Sequence, residues 1–107
     1  MKQLTLKNIQ QWVKKTWKKS PKKGISEKDE LLFLFEEIGG IAQAARKING
    51  YRDDKKSQKA LRDELEKEFG DCVVSLSALA NRYGISLEKG FMKSRESIER
   101  RYIRRRS

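Results

Sequence analysis

Two short stretches hold the acidic residues whose spacing could support chemistry. In "LFLFEEIGGIAQAARKI", residues 32–48, Glu36 and Glu37 stand side by side and Gly39 and Gly40 follow at once. In "EKEFGD", residues 66–71, Glu68 and Asp71 stand three apart. On a helix, residues at that spacing project together. Carboxylates gathered from two helices repel one another and are costly to bury unpaired. A divalent cation resolves the conflict, and oxygen-only ligands suit Mg²⁺ or Mn²⁺. The plainer alternative is that these acids only solubilise exposed helices, where Glu-x-x-Asp is common.

Composition narrows the chemistry further. There is no histidine and a single cysteine, Cys72. That excludes Ser-His and Cys-His nucleophile pairs, imidazole-dependent zinc sites and an intrachain disulfide. Any catalysis must rest on carboxylates or on a metal they hold. The 107 residues suffice for one domain, taken as 1–107, with a modest core. No stretch reaches the roughly 20 apolar residues of a membrane span, and the N-terminus lacks the apolar core of a signal peptide. A cytoplasmic location is the expectation. The net charge is +11. It is concentrated at the ends: residues 1–23 hold eight lysines and no acid, and residues 93–107 hold seven basic residues and two acids. Such ends solubilise the chain, attract a polyanionic small molecule, or bind nucleic acid.

The elements that must position the acids read as helices throughout. "LTLKNIQQWVKKTW" spaces Leu6, Ile9, Val13 and Trp17 helically after Thr5, a candidate N-cap. Pro21 and Gly24 close that segment. Ser26 and Asp29 have capping-box spacing at the start of a second helix, and Asn49-Gly50 stops it. "YRDDKKSQK" is a charged connection. A third helix runs from about Ser57 to Gly84, with Leu61, Leu65, Phe69, Cys72, Leu76, Leu79 and Tyr83 on one face. A fourth follows Ser86, with Leu87, Phe91, Ile98 and Tyr102 near one face, and a basic tail at about 103–107 frays. Val73-Val74 is the only strand-like hint. The expected fold is all-α, a four-helix bundle-like domain completed by oligomerisation, because so short a chain buries limited area alone.

At 100° per residue the second helix is expected to bury an arc centred on Leu34, Ile38, Ile41 and Ala45. Phe33, Glu37, Gly40 and Ala44 form a ridge at its edge, and Glu36 lies far from it. On the third helix Glu64, Glu68, Asp71 and Ser75 form a similar ridge. Antiparallel packing of the two helices would bring Glu37 opposite Glu68 and Asp71.

These residues resemble the MazG-like, all-α nucleoside triphosphate pyrophosphohydrolases. Their signature is Glu-Glu-x-x-Glu on one helix and Glu-x-x-Asp on the next, here "EEIGG" at 36–40 and "EFGD" at 68–71. "LLFLFEEIGGIAQAARK" and "EKEFGDCVVSLSALANRYGISLEKGFMKS" resemble the surrounding family helices, and the likeness spans roughly residues 5–102. It implies a Mg²⁺-dependent enzyme, with Mn²⁺ as the alternative ion, that cleaves an NTP or dNTP to the monophosphate and pyrophosphate. Glu37, Glu68 and Asp71 would be metal ligands, and Glu36 the fourth, less direct catalytic position. Lys93, Arg100 and Arg101 would bind the substrate phosphates. Ser97 stands where the family has asparagine. A homodimer or homotetramer is implied. Gly39 matches a family glycine, expected to permit close approach. Gly40 replaces the third motif glutamate, a ligand on Glu37's ridge. A weakened or decayed site is therefore expected, with Glu64 as partial compensation and Gly40→Glu as a repair, unless Gly40 admits a close helix contact or a substrate group, in which case Glu would clash.

Two other readings remain. One is a non-catalytic nucleotide-binding or assembly protein, favoured by Gly40. The other, ranked lower, is nucleic-acid binding through Lys14, Lys15, Lys18, Lys19, Lys22, Lys23 and the Arg100–Arg106 cluster, for which no base-reading module is present. Trp12, Trp17 and Phe33 could stack on a base, but core or interface roles are preferred for them.

Overall fold

The computed structural model describes residues 3–21, 23–50 and 55–103. Among these it contains four helices and no strand: α1 (Leu6–Trp17), α2 (Glu27–Ile48), α3 (Gln58–Arg82) and α4 (Leu87–Tyr102). A hydroxyl starts each one, accepting from the backbone N–H three residues on: Thr5 from Asn8, Ser26 from Asp29, Ser57 from Ala60 and Ser86 from Lys89. After α2 and α3 the chain turns through Gly50 and Gly84, at φ +78° and +65°. Left-handed backbone just past a helix end favours glycine. Val73 and Val74 lie within α3. Lys22, residues 51–54 of the charged connection, and Arg104 to Arg106 with the rest of the basic tail from 104 on lie outside the described residues.

The α2–α3 hairpin is the main packing unit, α1 crosses α3, and α4 leans on α1. Partners across the hairpin run in opposite senses. Glu30 meets Arg82, Gly40 meets Glu68, and Lys47 meets Glu64. The helices are therefore antiparallel.

The line along which they meet lies at the edge of the apolar arc expected from periodicity, of which Leu34, Ile41 and Ala45 are half-buried while Ile38 is exposed. Along that line the covered positions include Glu30, Phe33, Glu37, Gly40 and Ala44 on α2 and Leu61, Glu64, Glu68, Asp71, Ser75 and Ala78 on α3. Ile38 is 50% exposed and Leu76 45% exposed, and Phe69 and Tyr83 also face outward. The reason is steric. Glycine, alanine and serine at these positions let the two backbones approach, whereas the bulky arc would hold them apart. The fourth helix departs in the same way: it has no buried residue, and Phe91, Ile98 and Tyr102 are exposed. The apolar side chains buried among the described residues are Val13, Ala44, Leu61 and Ala78. The radius of gyration is 17.2 Å, against about 13 Å for a compact chain of this size. The arrangement is thus open, with apolar faces left on α2, α3 and α4. No described helix is long and apolar enough to cross a membrane.

One polar clamp fixes α1 to the α3–α4 turn. The buried Gln10 side chain donates to Asn81 Oδ1 (3.0 Å) and to the Ile85 carbonyl (2.8 Å), and accepts from the Leu87 N–H (2.8 Å). Asn81 Nδ2 returns a bond to the Gln10 carbonyl (2.9 Å). Stranding these groups away from water costs about 1–3 kcal/mol. Gln10→Leu should therefore lower stability by about 2 kcal/mol in urea denaturation, with helix content retained. An unchanged urea midpoint would show that the clamp is replaceable by water.

Candidate metal centre

Glu37 comes from the middle of α2, and Glu68 and Asp71 from adjoining turns of α3. Packing along the small-residue ridge turns all three into the seam. Each offers a carboxylate oxygen, and the three oxygens lie within 4.8 Å of one another. All three residues are half-buried. At that separation each charge pair repels by roughly 3 kcal/mol at an effective dielectric near 20, before further screening by water. The group is a set of hard oxygen donors.

A nearby cation pairs with one of the three carboxylates. Lys67 donates to Asp71 Oδ2 at 3.1 Å along the exposed side of α3. That hydrogen bond is the first cause of a raised Lys67 pKa, followed by the charge of Asp71 and, more weakly, of Glu68 and Glu37. An exposed pair of this kind is weakened by solvent screening. A divalent ion would displace the ammonium readily.

Gly40 has a direct explanation. A Cβ placed there would lie only 2.8 Å from Glu68 Cδ and 3.3 Å from Glu68 Oε1. The Glu68 carboxylate fills the volume that any side chain at position 40 would need. A glutamate at position 40 would require the flexible end of the Glu68 side chain to move. Gly39 differs. Nothing in the chain lies within 4 Å of a Cβ at that position, so no backbone of this chain approaches it closely.

The other expected residues fall elsewhere. Glu64 forms ion pairs with Lys47 (3.7 Å) and Lys56 and so does not compensate at the centre. Glu36 is exposed and outside the carboxylate group. Lys93, Arg100 and Arg101 lie exposed on α4, which packs on α1, and none of them pairs with Glu37, Glu68 or Asp71. Arg101 instead lies over the ring of its neighbour Tyr102.

Cys72 reports on the centre from beside it. Burial first, then the charges of Glu37, Glu68 and Asp71, push its thiol above the usual cysteine range. The thiolate is the reactive form, so a raised pKa means slow alkylation near neutral pH. Removing one negative charge lowers the thiol pKa. In Glu37→Gln, the pH–rate profile for iodoacetamide should therefore shift to lower pH. Identical profiles would place Glu37's charge out of reach of the thiol.

No protein-family model matches the sequence. The chain is 31% identical to YvdC of Bacillus subtilis strain 168, an uncharacterized protein, across 92% of this chain and 97% of that one. Likeness at this level over nearly the full length of both proteins is kinship, and the chain belongs to the same family as YvdC.

Proposed function

We propose that the chain is a MazG-like nucleotide pyrophosphohydrolase, a Mg²⁺-dependent hydrolase that cleaves an NTP or dNTP to the monophosphate and pyrophosphate. The observation that supports it is the convergence of Glu37, Glu68 and Asp71, from two antiparallel helices, within 4.8 Å of one another. Their donor chemistry fits Mg²⁺, with Mn²⁺ second, because both ions favour carboxylate and water oxygens. When bound, such an ion polarises a phosphoanhydride and makes a coordinated water more acidic. The chain's own part is positional. Glu37 fixes the α2 side of the site and Glu68 and Asp71 the α3 side, and Gly40 leaves Glu68 its place. A carboxylate oxygen not engaged by metal accepts the proton of the attacking water. Glu36, exposed beside Glu37, serves no ligand role.

Assembly belongs to the same proposal. The exposed apolar faces around Phe35, Ile38, Leu76 and Phe91 suit a homodimer or homotetramer. In such an assembly the phosphate contacts of Lys93, Arg100 and Arg101 come from a neighbouring copy, since within one chain α4 rests on α1. A cytoplasmic location suits a nucleotide substrate. A second reading, a non-catalytic nucleotide-binding or assembly protein, draws on Gly40 and on the Lys67–Asp71 pair, which holds one of the three carboxylates.

Pyrophosphate release over a panel of nucleoside triphosphates, with Mg²⁺ or Mn²⁺, tests the proposal. Activity is expected in the wild type. In Asp71→Asn it should fall by at least the roughly 10–100-fold that a lesser change beside a ligand costs, with helix content kept. Thermal unfolding that responds to Mg²⁺, without pyrophosphate release, would support the non-catalytic reading instead. No metal response at all would remove the pyrophosphohydrolase reading. Gly40→Ala adds a separate test, because its Cβ must push the Glu68 carboxylate aside. Mg²⁺ affinity should drop about tenfold, despite roughly 1 kcal/mol of gained helix propensity. Equal affinity would mean that Glu68 is not a ligand.

A further inference from the structure

The helices α2, α3 and α4 each carry charges of both signs, and pairs such as Lys59–Asp63 on α3 and Arg95–Glu99 on α4 run along their surfaces. The first helix is different. No acid precedes Glu27 in the chain, and Lys7, Lys14, Lys15, Lys18 and Lys19 are all exposed. None of these five lysines forms an ion pair among the described residues. Lys18 caps α1 in right-handed helical backbone and the Lys19 N–H donates to the Thr16 carbonyl, so the helical course continues through both. At about 100° per residue the five lysines and Trp12 occupy the half of the helix turned away from the buried Val13. Lys7, Lys14 and Lys18 form one row, and Trp12, Lys15 and Lys19 another. Trp12 is 47% exposed there.

Local stability does not account for the pattern. Cations in the last turn complement the helix dipole, but Lys7 stands in the first turn, where it opposes the dipole. Lys14 with Lys18 and Lys15 with Lys19 are like-charge pairs four residues apart, which destabilise a helix. A polyanion relieves that repulsion. From Lys7 to Lys19 the face runs about 18 Å, the rise of about five stacked nucleotides at roughly 3.4 Å each. Trp12 sets a flat apolar surface among the cations, on which an unpaired base can stack. We propose that the outward face of α1 binds single-stranded nucleic acid, with backbone phosphates on the five lysines and a base on Trp12. Other polyanionic surfaces suit it less. The apolar side of α1 is turned to α3, with Val13 buried and Leu6, Ile9 and Trp17 half-buried, so it offers nothing to insert into a bilayer. A second copy, itself carrying +11, is repelled from this face. Lys14 and Lys18, with Lys23, also edge a cavity of about 440 Å³ beside Trp17. The Glu30–Arg82 pair forms part of its wall, so a continuous strand runs along the outward face instead. The face uses neither a metal ion nor the carboxylate group, and the proposal is independent of the pyrophosphohydrolase reading.

The test is fluorescence anisotropy of a labelled oligothymidylate of about 12 nucleotides, within the site sizes of single-strand binders, titrated with the full chain in EDTA. Saturable binding is expected, its log affinity falling against log salt with a slope of about −3.5, the value for five neutralised phosphates on a single strand. Lys15→Gln with Lys19→Gln should weaken binding and bring the slope to about −2. Trp12→Leu should weaken binding by at least about fivefold with the slope unchanged, since it removes stacking and no charge. Circular dichroism should match the wild type in both. Asp71→Asn should bind as the wild type does. Absence of saturable binding at about 50 mM salt would overturn the proposal, as would an unaltered slope in the double lysine variant or full binding by Trp12→Leu. Weakened binding in Asp71→Asn would overturn it by placing the strand at the carboxylates. A duplex of the same sequence bound as tightly as the strand would also overturn it, because a duplex offers phosphates but no free base for Trp12.

Discussion

The seam between α2 and α3 is polar at its centre, and the rest of the molecule is arranged around that constraint. Two amphipathic helices ordinarily meet through their bulkiest apolar residues. Here they meet through Phe33, Glu37, Gly40 and Ala44 on one side and Glu64, Glu68, Asp71 and Ser75 on the other. Mutual repulsion of three carboxylates works against the contact, so other interactions must close it. At one end Glu30, only 7% exposed, is paired with Arg82. At the other, the buried Ala44 and Leu61 and the Lys47–Glu64 pair draw the helices together near their connection. From the side, α1 is fastened to the end of α3 through Gln10 and Asn81. The carboxylates are held between these fixed points, which is what a preorganised cation site requires.

Gly40 shows how local stability was exchanged for that geometry. A glycine in mid-helix costs roughly 1 kcal/mol relative to alanine. The loss is offset only if the missing side chain matters, and here it does, since Glu68's carboxylate occupies the space. Gly39 bears the same cost with open space above it, and nothing in the structure explains it.

Helices and their ends were legible in the sequence because the signals are local. Thr5, Ser26, Ser57 and Ser86 cap as their positions suggest, and Gly50 and Gly84 take the left-handed turns. The convergence of Glu37 with Glu68 and Asp71 was also legible, since 3-4 spacing on two antiparallel helices is enough to bring ridges together. Which face of each helix would meet its neighbour was not. Periodicity records where the apolar residues lie, and α2 and α3 carry more apolar surface than one contact can cover, so Ile38 and Leu76 stay exposed while Leu34, Ile41 and Ala45 are half-buried. The meaning of Gly40 was hidden for a related reason. A motif shows a missing side chain but not what fills the gap, and Glu68 lies 28 residues further along the chain. The cavity beside Trp17 escaped because Lys14, Lys18 and Lys23 looked like part of a solvated run. Their spacing of four and five residues, with Pro21 between the last two, was the available hint.

A seam closed against repulsion couples ligand, stability and surface. Hydrophobic burial within the chain is small, with Val13 and Leu61 the largest apolar side chains fully or nearly fully covered, so the hairpin has little stability to spare. A cation that binds only the folded carboxylate group adds RT ln(1 + [L]/Kd) to that stability, about 2.7 kcal/mol at a hundredfold excess over Kd. The same hairpin carries Phe35, Ile38 and Leu76 on its outer faces, positioned by the very helices whose alignment the carboxylates oppose. Holding those helices in register would hold the outer faces in register too. A second copy packed there would in turn stabilise the seam from outside. Cation and partner would thus favour the same arrangement of α2 and α3 from opposite sides, and each would strengthen the binding of the other by an equal factor, as linkage requires.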